Sequence, residues 1–244
     1  MQISPHFNKK SSLPNYIYNA PWDVKQKKIS RFITIVNLYK EIFGKKSIPE
    51  DGQYWAMCGS HFNKDKPIKG ELGYITEKGL IRPDQYFGVD REEIIIEENK
   101  RFFPNINWIH GDFVEELEKV VIYNHKISII NYDGVMQPKN SVQYLKKIMS
   151  LIDYNIGNEL MLVSNFILVN PYSKSERLKY SIFDVLKELK KLYWIPDHWY
   201  LYPESYQYSH SQAVMGIIIF VKEEHDIKNI KYSPNKKIGN IEEV

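Results

Sequence analysis

Short apolar runs, each ending on a small or polar residue, recur along the first part of the chain. They cover residues 53–60, 85–90, 106–112 and 127–133. Strands that are buried on both faces of a parallel sheet have this near-continuous apolar composition. We therefore predict four parallel strands, one for each run.

Segments with apolar residues at three- and four-residue steps separate these runs, which is the spacing of an amphipathic helix. The first segment, residues 23–43, is followed by Gly44, a natural helix stop. Its predicted inward stripe consists of Ile29, Phe32, Val36, Tyr39 and Phe43. Later segments predict a short helix within residues 64–80 and helices over residues 92–103, 114–123, 141–152 and 175–194.

Three further strands are predicted, at residues 159–169, 198–202 and 213–222. The alternation of strands and helices predicts a mostly parallel sheet with right-handed crossovers. The last two strands have no helix between them, which predicts an antiparallel pair. We therefore predict an α/β fold with a mostly parallel seven-stranded sheet, a terminal antiparallel hairpin and helices on both faces.

The two ends of the chain lack this alternation, which indicates a division into three parts. Residues 1–50 are predicted to form an N-terminal arm and a helix, and residues 51–224 the main α/β domain. Residues 225–244 are predicted to be a polar C-terminal tail.

The composition is that of an ordinary globular protein, with 244 residues, 43% hydrophobic and 26% charged. A net charge of +3 permits an anionic partner such as RNA or DNA without requiring one. The single cysteine, Cys58, excludes an internal disulfide and fits a reducing, cytoplasmic compartment. No apolar run is long enough to predict a membrane span.

Candidate chemistry lies at the carboxyl ends of the predicted strands, where the ligands of such sheets bind. Gly59 would let a ligand approach the backbone. Asp90 would accept the hydroxyls of a ribose, or else cap the following helix. Asp112 would accept from an adenine amino group, or else cap the next helix. Phe113 would stack on the base or fill the core.

The fourth strand ends with Asn131, Tyr132 and Asp133. Asp133 would act as a base or orient a nucleophile, and Tyr132 offers a stacking face. The alternative is that Asp133 and Gly134 form an ordinary turn. A single glycine in the first motif argues against NAD and FAD, and the sequence contains no phosphate-binding loop, serine-hydrolase elbow or metal signature.

These positions resemble those of the class I S-adenosylmethionine-dependent methyltransferases, with a degenerate first motif. The resemblance covers residues 53–223 and implies a Rossmann-like fold with S-adenosyl-L-methionine as cofactor. It implies that Gly59, with Cys58 beside it, faces the methionine part of the cofactor. It also implies that Asp90 holds the ribose and that Asp112 and Phe113 form the adenine site. The reactive or substrate-holding positions would be Asn131, Tyr132 and Asp133.

Three features depart from the family pattern. The first motif has one glycine where the family has two or three. The stretch between Gly59 and Asp90 exceeds the roughly 20 residues of comparable units, so an insertion near residues 64–79 is predicted to wall or cover the pocket. Neither the Pro-Pro-aromatic motif nor the Pro-Cys pair of the nucleic-acid base methyltransferases is present.

Two functions are compatible with these observations. One is an active methyltransferase acting on nucleic acid, in which Tyr206 and Tyr208 of a predicted loop at residues 203–211 stack on bases. The other is a catalytically inactive methyltransferase-like binding module or partner subunit.

Overall fold

The computed structural model describes residues 32–58, 71–121, 126–136, 143–145, 147–148, 150–151, 160–167, 199–208 and 213–222. The predicted arm, the polar tail, the helix at residues 175–194 and Gly59 lie outside the described residues. None of the described helices is both long and apolar enough to cross a bilayer.

The elements alternate between strands and helices through the first two thirds of the chain. The helices are α1 (Thr34–Phe43), α2 (Glu71–Glu77), α3 (Glu93–Phe102) and α4 (Phe113–Val121), with further helical residues between 143 and 151. The strands are β1 (Gln53–Met57), β2 (Tyr86–Asp90), β3 (Asn107–His110), β4 (Ile127–Met136), β5 (Leu160–Ile167), β6 (Trp199–Tyr208) and β7 (Ala213–Lys222).

The strands form one seven-stranded sheet in the order β3-β2-β1-β4-β5-β7-β6. Neighbours from β3 to β5 are parallel, and β7 is antiparallel to both β5 and β6. The predicted α/β class with a mostly parallel sheet is confirmed. β1 lies inside the sheet, so its carboxyl end has β2 on one side and β4 on the other.

Strand alternation divides the core between the two faces of the sheet. Tyr54 and Ala56 of β1 pack into one cluster with α1, α2 and α3, while Trp55 packs into a second cluster with α4. Helices therefore cover both faces of the described sheet. On the first face, α1 contributes Ile35 and Tyr39, and it ends where Gly44 adopts a left-handed φ of 65°.

Close packing between β2 and β3 requires a glycine at position 88. Gly88 pairs with Trp108 across the two parallel strands. A Cβ at Gly88 would lie 2.5 Å from a carbon of the Trp108 ring and 3.0 Å from the Cβ of Cys58. Because real Cβ atoms do not approach so closely, a larger residue would push these strands apart.

Several strand ends differ from their predicted positions. β3 stops at His110, so Asp112 lies beyond the strand, directly before α4. β4 continues to Met136, past the predicted end at Asp133, and its pairing with β5 becomes irregular after Tyr132. Pairing with neighbouring strands, which an apolar run does not encode, sets these ends.

Candidate cofactor site

The carboxyl ends of β1, β2 and β3 are held side by side by main-chain hydrogen bonds. The N–H of Cys58 donates to the carbonyl of Val89 at 3.1 Å, and the N–H of Gly111 donates to the carbonyl of Asp90 at 3.0 Å. The last ladder pair of β2 and β3 is Asp90 with His110. The structure therefore brings Cys58, Asp90 and Asp112 to one edge of the sheet.

Asp90 is the last residue of β2 and is half-buried. Its Oδ1 accepts the N–H of Glu92 at 2.9 Å, which turns the chain toward α3. Because α3 begins at Glu93, this hydrogen bond is a turn contact before the helix and not the helix cap considered from the sequence. A carboxylate offers about four acceptor positions, so this hydrogen bond is compatible with ribose hydroxyls on the same group.

Asp112 caps the start of α4 and forms an ion pair. Its Oδ1 accepts the N–H of Val114 at 2.9 Å and that of Glu115 at 3.2 Å. Its Oδ2 accepts from Nη2 of Arg91. Burial, the largest single effect, would raise the pKa of Asp112, but the hydrogen bonds from Arg91 and the helix N–H groups together hold the pKa below its usual value. Asp112 is therefore an ionised carboxylate at the sheet edge.

Phe113 is a core residue, which agrees with the second of the two roles considered for it from the sequence, that of filling the core. It is 3% exposed, and its ring lies 5.7 Å from that of Tyr132 between ring centroids. Tyr132 stacks at 6.3 Å on Tyr144, from the helical residues after β4. Burial raises the pKa of Tyr132 well above its usual range, so its hydroxyl stays protonated at neutral pH.

Asn131 lies in a buried polar network on the opposite face. Its Nδ2 donates to Oε1 of Glu71, the same oxygen that accepts from the hydroxyl of Tyr54. Asn131 is fully buried and Glu71 is 5% exposed. No local pattern of the sequence indicates this network, because it joins residues of α2, β1 and β4 that are far apart along the chain.

Cys58 directly follows β1 and packs against the first core cluster, which contains Tyr54 and Ala56. Its Sγ accepts a long hydrogen bond of 3.8 Å from Nδ2 of the buried Asn99. Burial raises the pKa of the Cys58 thiol, and the nearby charges of Asp90 and Glu71 raise it further. Cys58 is therefore a neutral thiol rather than a nucleophile.

Asp133 is half-buried within β4, so the alternative interpretation of Asp133 and Gly134 as a turn is wrong. Beside it, Tyr132 pairs with Ser164 of β5. The Ser164 hydroxyl is buried and has no hydrogen-bond partner among the described residues. This hydroxyl is a polar group near the end of β4 that the sequence did not single out.

The predicted loop at residues 203–211 is also corrected, because β6 continues through Tyr208. Tyr206 pairs with Met215 of β7, which pairs in turn with Ile167, the last residue of β5. The backbone of β6 at Tyr206 and Tyr208 therefore reaches the carboxyl edge of the sheet. Three strand spacings, roughly 14 Å, separate β6 from β4.

Comparison with known proteins gives similarity in fold without detectable similarity in sequence. No family model matches the chain, and no curated protein matches it. Among solved structures, the plantazolicin methyltransferase BamL, in complex with a triazolic desmethylPZN analog and SAH, aligns with a TM-score of 0.51 at 12% identity. This alignment covers 83% of this chain and 87% of that one.

Two other solved structures align at lower TM-scores. An O-methyltransferase from Bacillus cereus, in complex with SAH, gives 0.46 at 13% identity and covers 84% of each chain. An S-adenosylmethionine-dependent methyltransferase from Clostridium acetobutylicum gives 0.46 at 14% identity, covering 85% of this chain and 96% of that one. The chain has the fold of the class I S-adenosylmethionine-dependent methyltransferases, so the resemblance inferred from its strand tips is confirmed at the level of fold.

Proposed function

We propose that this chain is an S-adenosylmethionine-dependent methyltransferase of the Rossmann-like type. The observation that carries the proposal is the pair of carboxylates Asp90 and Asp112. They lie at or just after the ends of adjacent strands, on a sheet with the methyltransferase fold described above. Carboxylates accept hydrogen bonds, and adenosine offers two ribose hydroxyls and one amino group as donors. The residues present therefore fit the cofactor.

Each residue takes a role that follows from its place at the sheet edge. Asp90 accepts from the ribose, Asp112 accepts from the adenine amino group, and the main-chain N–H of Phe113 donates to a ring nitrogen. Cys58 and Gly59 border the methionine part, where a neutral thiol adds no charge. The bound cofactor supplies an activated methyl group, and the chain accelerates its transfer chiefly by holding the acceptor in line with it.

Of the three positions predicted at the end of β4, Asp133 is assigned the contact with the acceptor. Asn131 and Tyr132 are buried, on opposite faces, and so act by fixing β4 beneath the cleft. Asp133 is half-buried and follows them toward the carboxyl edge. We assign the strands and their closing antiparallel pair to a catalytic domain at residues 51–224, whose core α1 also enters with Ile35 and Tyr39, and we place the protein in the cytoplasm.

We further propose that the acceptor is a nucleic acid, RNA or DNA. The support is the basic balance of the chain and the placement of Tyr206 and Tyr208 on the part of β6 that reaches the carboxyl edge. Stacking of a base on a tyrosine is worth roughly 1–3 kcal/mol. Substitution of Tyr206 and Tyr208 by alanine should weaken binding of single-stranded RNA in a filter assay. Binding that is absent at low salt would eliminate nucleic acid as the acceptor.

The alternative is an inactive methyltransferase-like binding module, which the single glycine of the first motif favours. Calorimetric titration with S-adenosylmethionine separates the two, since the enzyme must bind it. Asp90→Ala should weaken binding about 10- to 100-fold, as expected for the loss of hydrogen bonds to a charged group.

The matched control is Asp84→Ala, because Asp84 is an exposed acid just before the amino end of β2. This variant should bind the cofactor like the wild type. Wild-type protein that fails to bind would leave the binding module as the better function. Equal affinities in wild type and Asp90→Ala would remove Asp90 from the site.

A further inference from the structure

The two carboxylate oxygens of Asp112 face different partners. Oδ1 accepts the N–H groups of Val114 and Glu115, so it points into the first turn of α4. Oδ2 accepts from the guanidinium of Arg91, which follows Asp90 at the end of β2. Oδ2 is therefore the oxygen directed away from the helix.

The guanidinium covers this oxygen on the solvent side. The Arg91 side chain is 59% exposed, whereas that of Asp112 is 19% exposed. Asp112, and after it the Tyr144 hydroxyl, raise the pKa of the Arg91 guanidinium, so Tyr144 lies beside this ion pair. A ligand group that approaches Oδ2 from solvent therefore meets Arg91 first.

We propose that Arg91 sets the affinity of the adenine site by occupying the Asp112 oxygen that the adenine amino group needs. This inference rests on the proposed function, because it assumes that Asp112 accepts from adenine. Asp112 already accepts three hydrogen bonds and the guanidinium lies on the solvent side of Oδ2, so binding exchanges one donor for the other: the guanidinium leaves Oδ2 for water, the amino group takes its place, and the carboxylate stays ionised. Arg91 is thus a competitor of the cofactor rather than a contact for it.

The size of the effect follows from the exposure of the ion pair. Exposed pairs contribute little to stability, and giving one up should weaken cofactor binding by about two- to fivefold. Salt screens such a pair, because the Debye length falls to a few ångströms at molar ionic strength. The affinity of the wild-type protein for the cofactor should therefore increase as salt is added, which is the reverse of ordinary charge-driven binding.

Calorimetry with SAH tests the exchange without any need for activity. Arg91→Met keeps most of the side-chain length and removes the charge, so it should bind SAH about two- to fivefold more tightly than the wild type. Its affinity should be insensitive to sodium chloride between 50 mM and 500 mM, roughly the range over which screening changes. Arg91→Lys, which keeps a charge without the planar fork, should fall between the two.

Arg82→Met is the matched control. Arg82 also forms an exposed ion pair with an aspartate, Asp84, but it precedes the amino end of β2. This variant should bind SAH with wild-type affinity and wild-type dependence on salt.

The outcomes distinguish this inference from the function on which it rests. Equal or weaker binding by Arg91→Met, with a wild type that binds, overturns the competitor role and leaves the methyltransferase proposal standing. Absence of SAH binding in the wild type and in Arg91→Met overturns both. Tighter binding in Arg82→Met as well would show a general charge effect and would also overturn the role of Arg91.

Discussion

Glu71 and Asn131 are hydrogen-bonded to each other in the interior, although 60 positions separate them in the sequence. The carboxylate comes from the first turn of α2 and the amide from β4, and Tyr54 of β1 donates to the same oxygen. This contact fixes Glu71, in the first turn of α2, against the two central strands β1 and β4.

Glu71→Ala should destabilise the fold strongly. The change removes the oxygen that accepts from the Tyr54 hydroxyl and the Asn131 amide, although the amide still has that hydroxyl at 3.4 Å, and each buried donor left unsatisfied costs about 1–3 kcal/mol. We expect the free energy of unfolding in urea to fall by about 2–5 kcal/mol in total. Glu71→Gln retains a side-chain oxygen that accepts, so it should lose less. Glu77→Ala, an exposed change at the end of the same helix, should have little effect. A stable Glu71→Ala protein would show that the network contributes nothing.

The Cys58 thiol should be unreactive in the folded protein. The thiolate is the nucleophile, and burial together with the nearby charges of Asp90 and Glu71 raises the thiol pKa. Labelling with a chromogenic disulfide at about pH 8 should proceed at least about tenfold more slowly than with a free thiol, and urea should restore the normal rate. Rapid labelling of the native protein would contradict the raised pKa of the Cys58 thiol.

Asp112 should stabilise the protein above its unfolded pKa and lose this effect in acid. Its folded pKa is lowered, whereas the unfolded value is about 3.9, so the stabilisation is complete above that pH and disappears as pH falls through the folded pKa. Asp112→Asn keeps a capping side chain without the charge. Urea unfolding at a series of pH values should show wild type and Asp112→Asn converging in acid.

Asp112→Ala removes the cap as well as the charge. It should lower the free energy of unfolding by about 1 kcal/mol more than Asp112→Asn does, as for other helix caps. A stability difference between wild type and Asp112→Asn that does not change with pH would mean that ionisation of Asp112 is irrelevant to the fold.

Gly88→Ala should destabilise the junction of β2 and β3. The added methyl group would lie 2.5 Å from a carbon of the Trp108 ring, and overpacking of this kind costs about 1–3 kcal/mol. Trp108→Leu makes space at the same contact, so the double variant should lose less than the sum of the two single changes. Strictly additive losses in chemical denaturation would place the strain elsewhere.

Local patterns in the sequence were sufficient for the class of fold and for the place of Asp90 at the end of a strand. Buried strands are apolar and short, helices repeat at three and four residues, and Asp90 follows directly from the end of an apolar run. Gly44 was recognised as a helix stop because a left-handed residue favours glycine regardless of what surrounds it. Each of these signals depends only on residues close together in the sequence, so it can be recognised without knowing their tertiary contacts.

The tertiary structure alone decided which partners these residues meet. Whether Asp112 is paired with Arg91, whether Asn131 is buried with Glu71, and where β6 ends all depend on sheet order, register and the packing of helices on the two faces. Those arrangements minimise the free energy of contacts between segments far apart in the chain, and no local period encodes them. The sequence therefore determined where the candidate chemistry lies along the chain, and the packing determined which of its groups are capped, paired or enclosed.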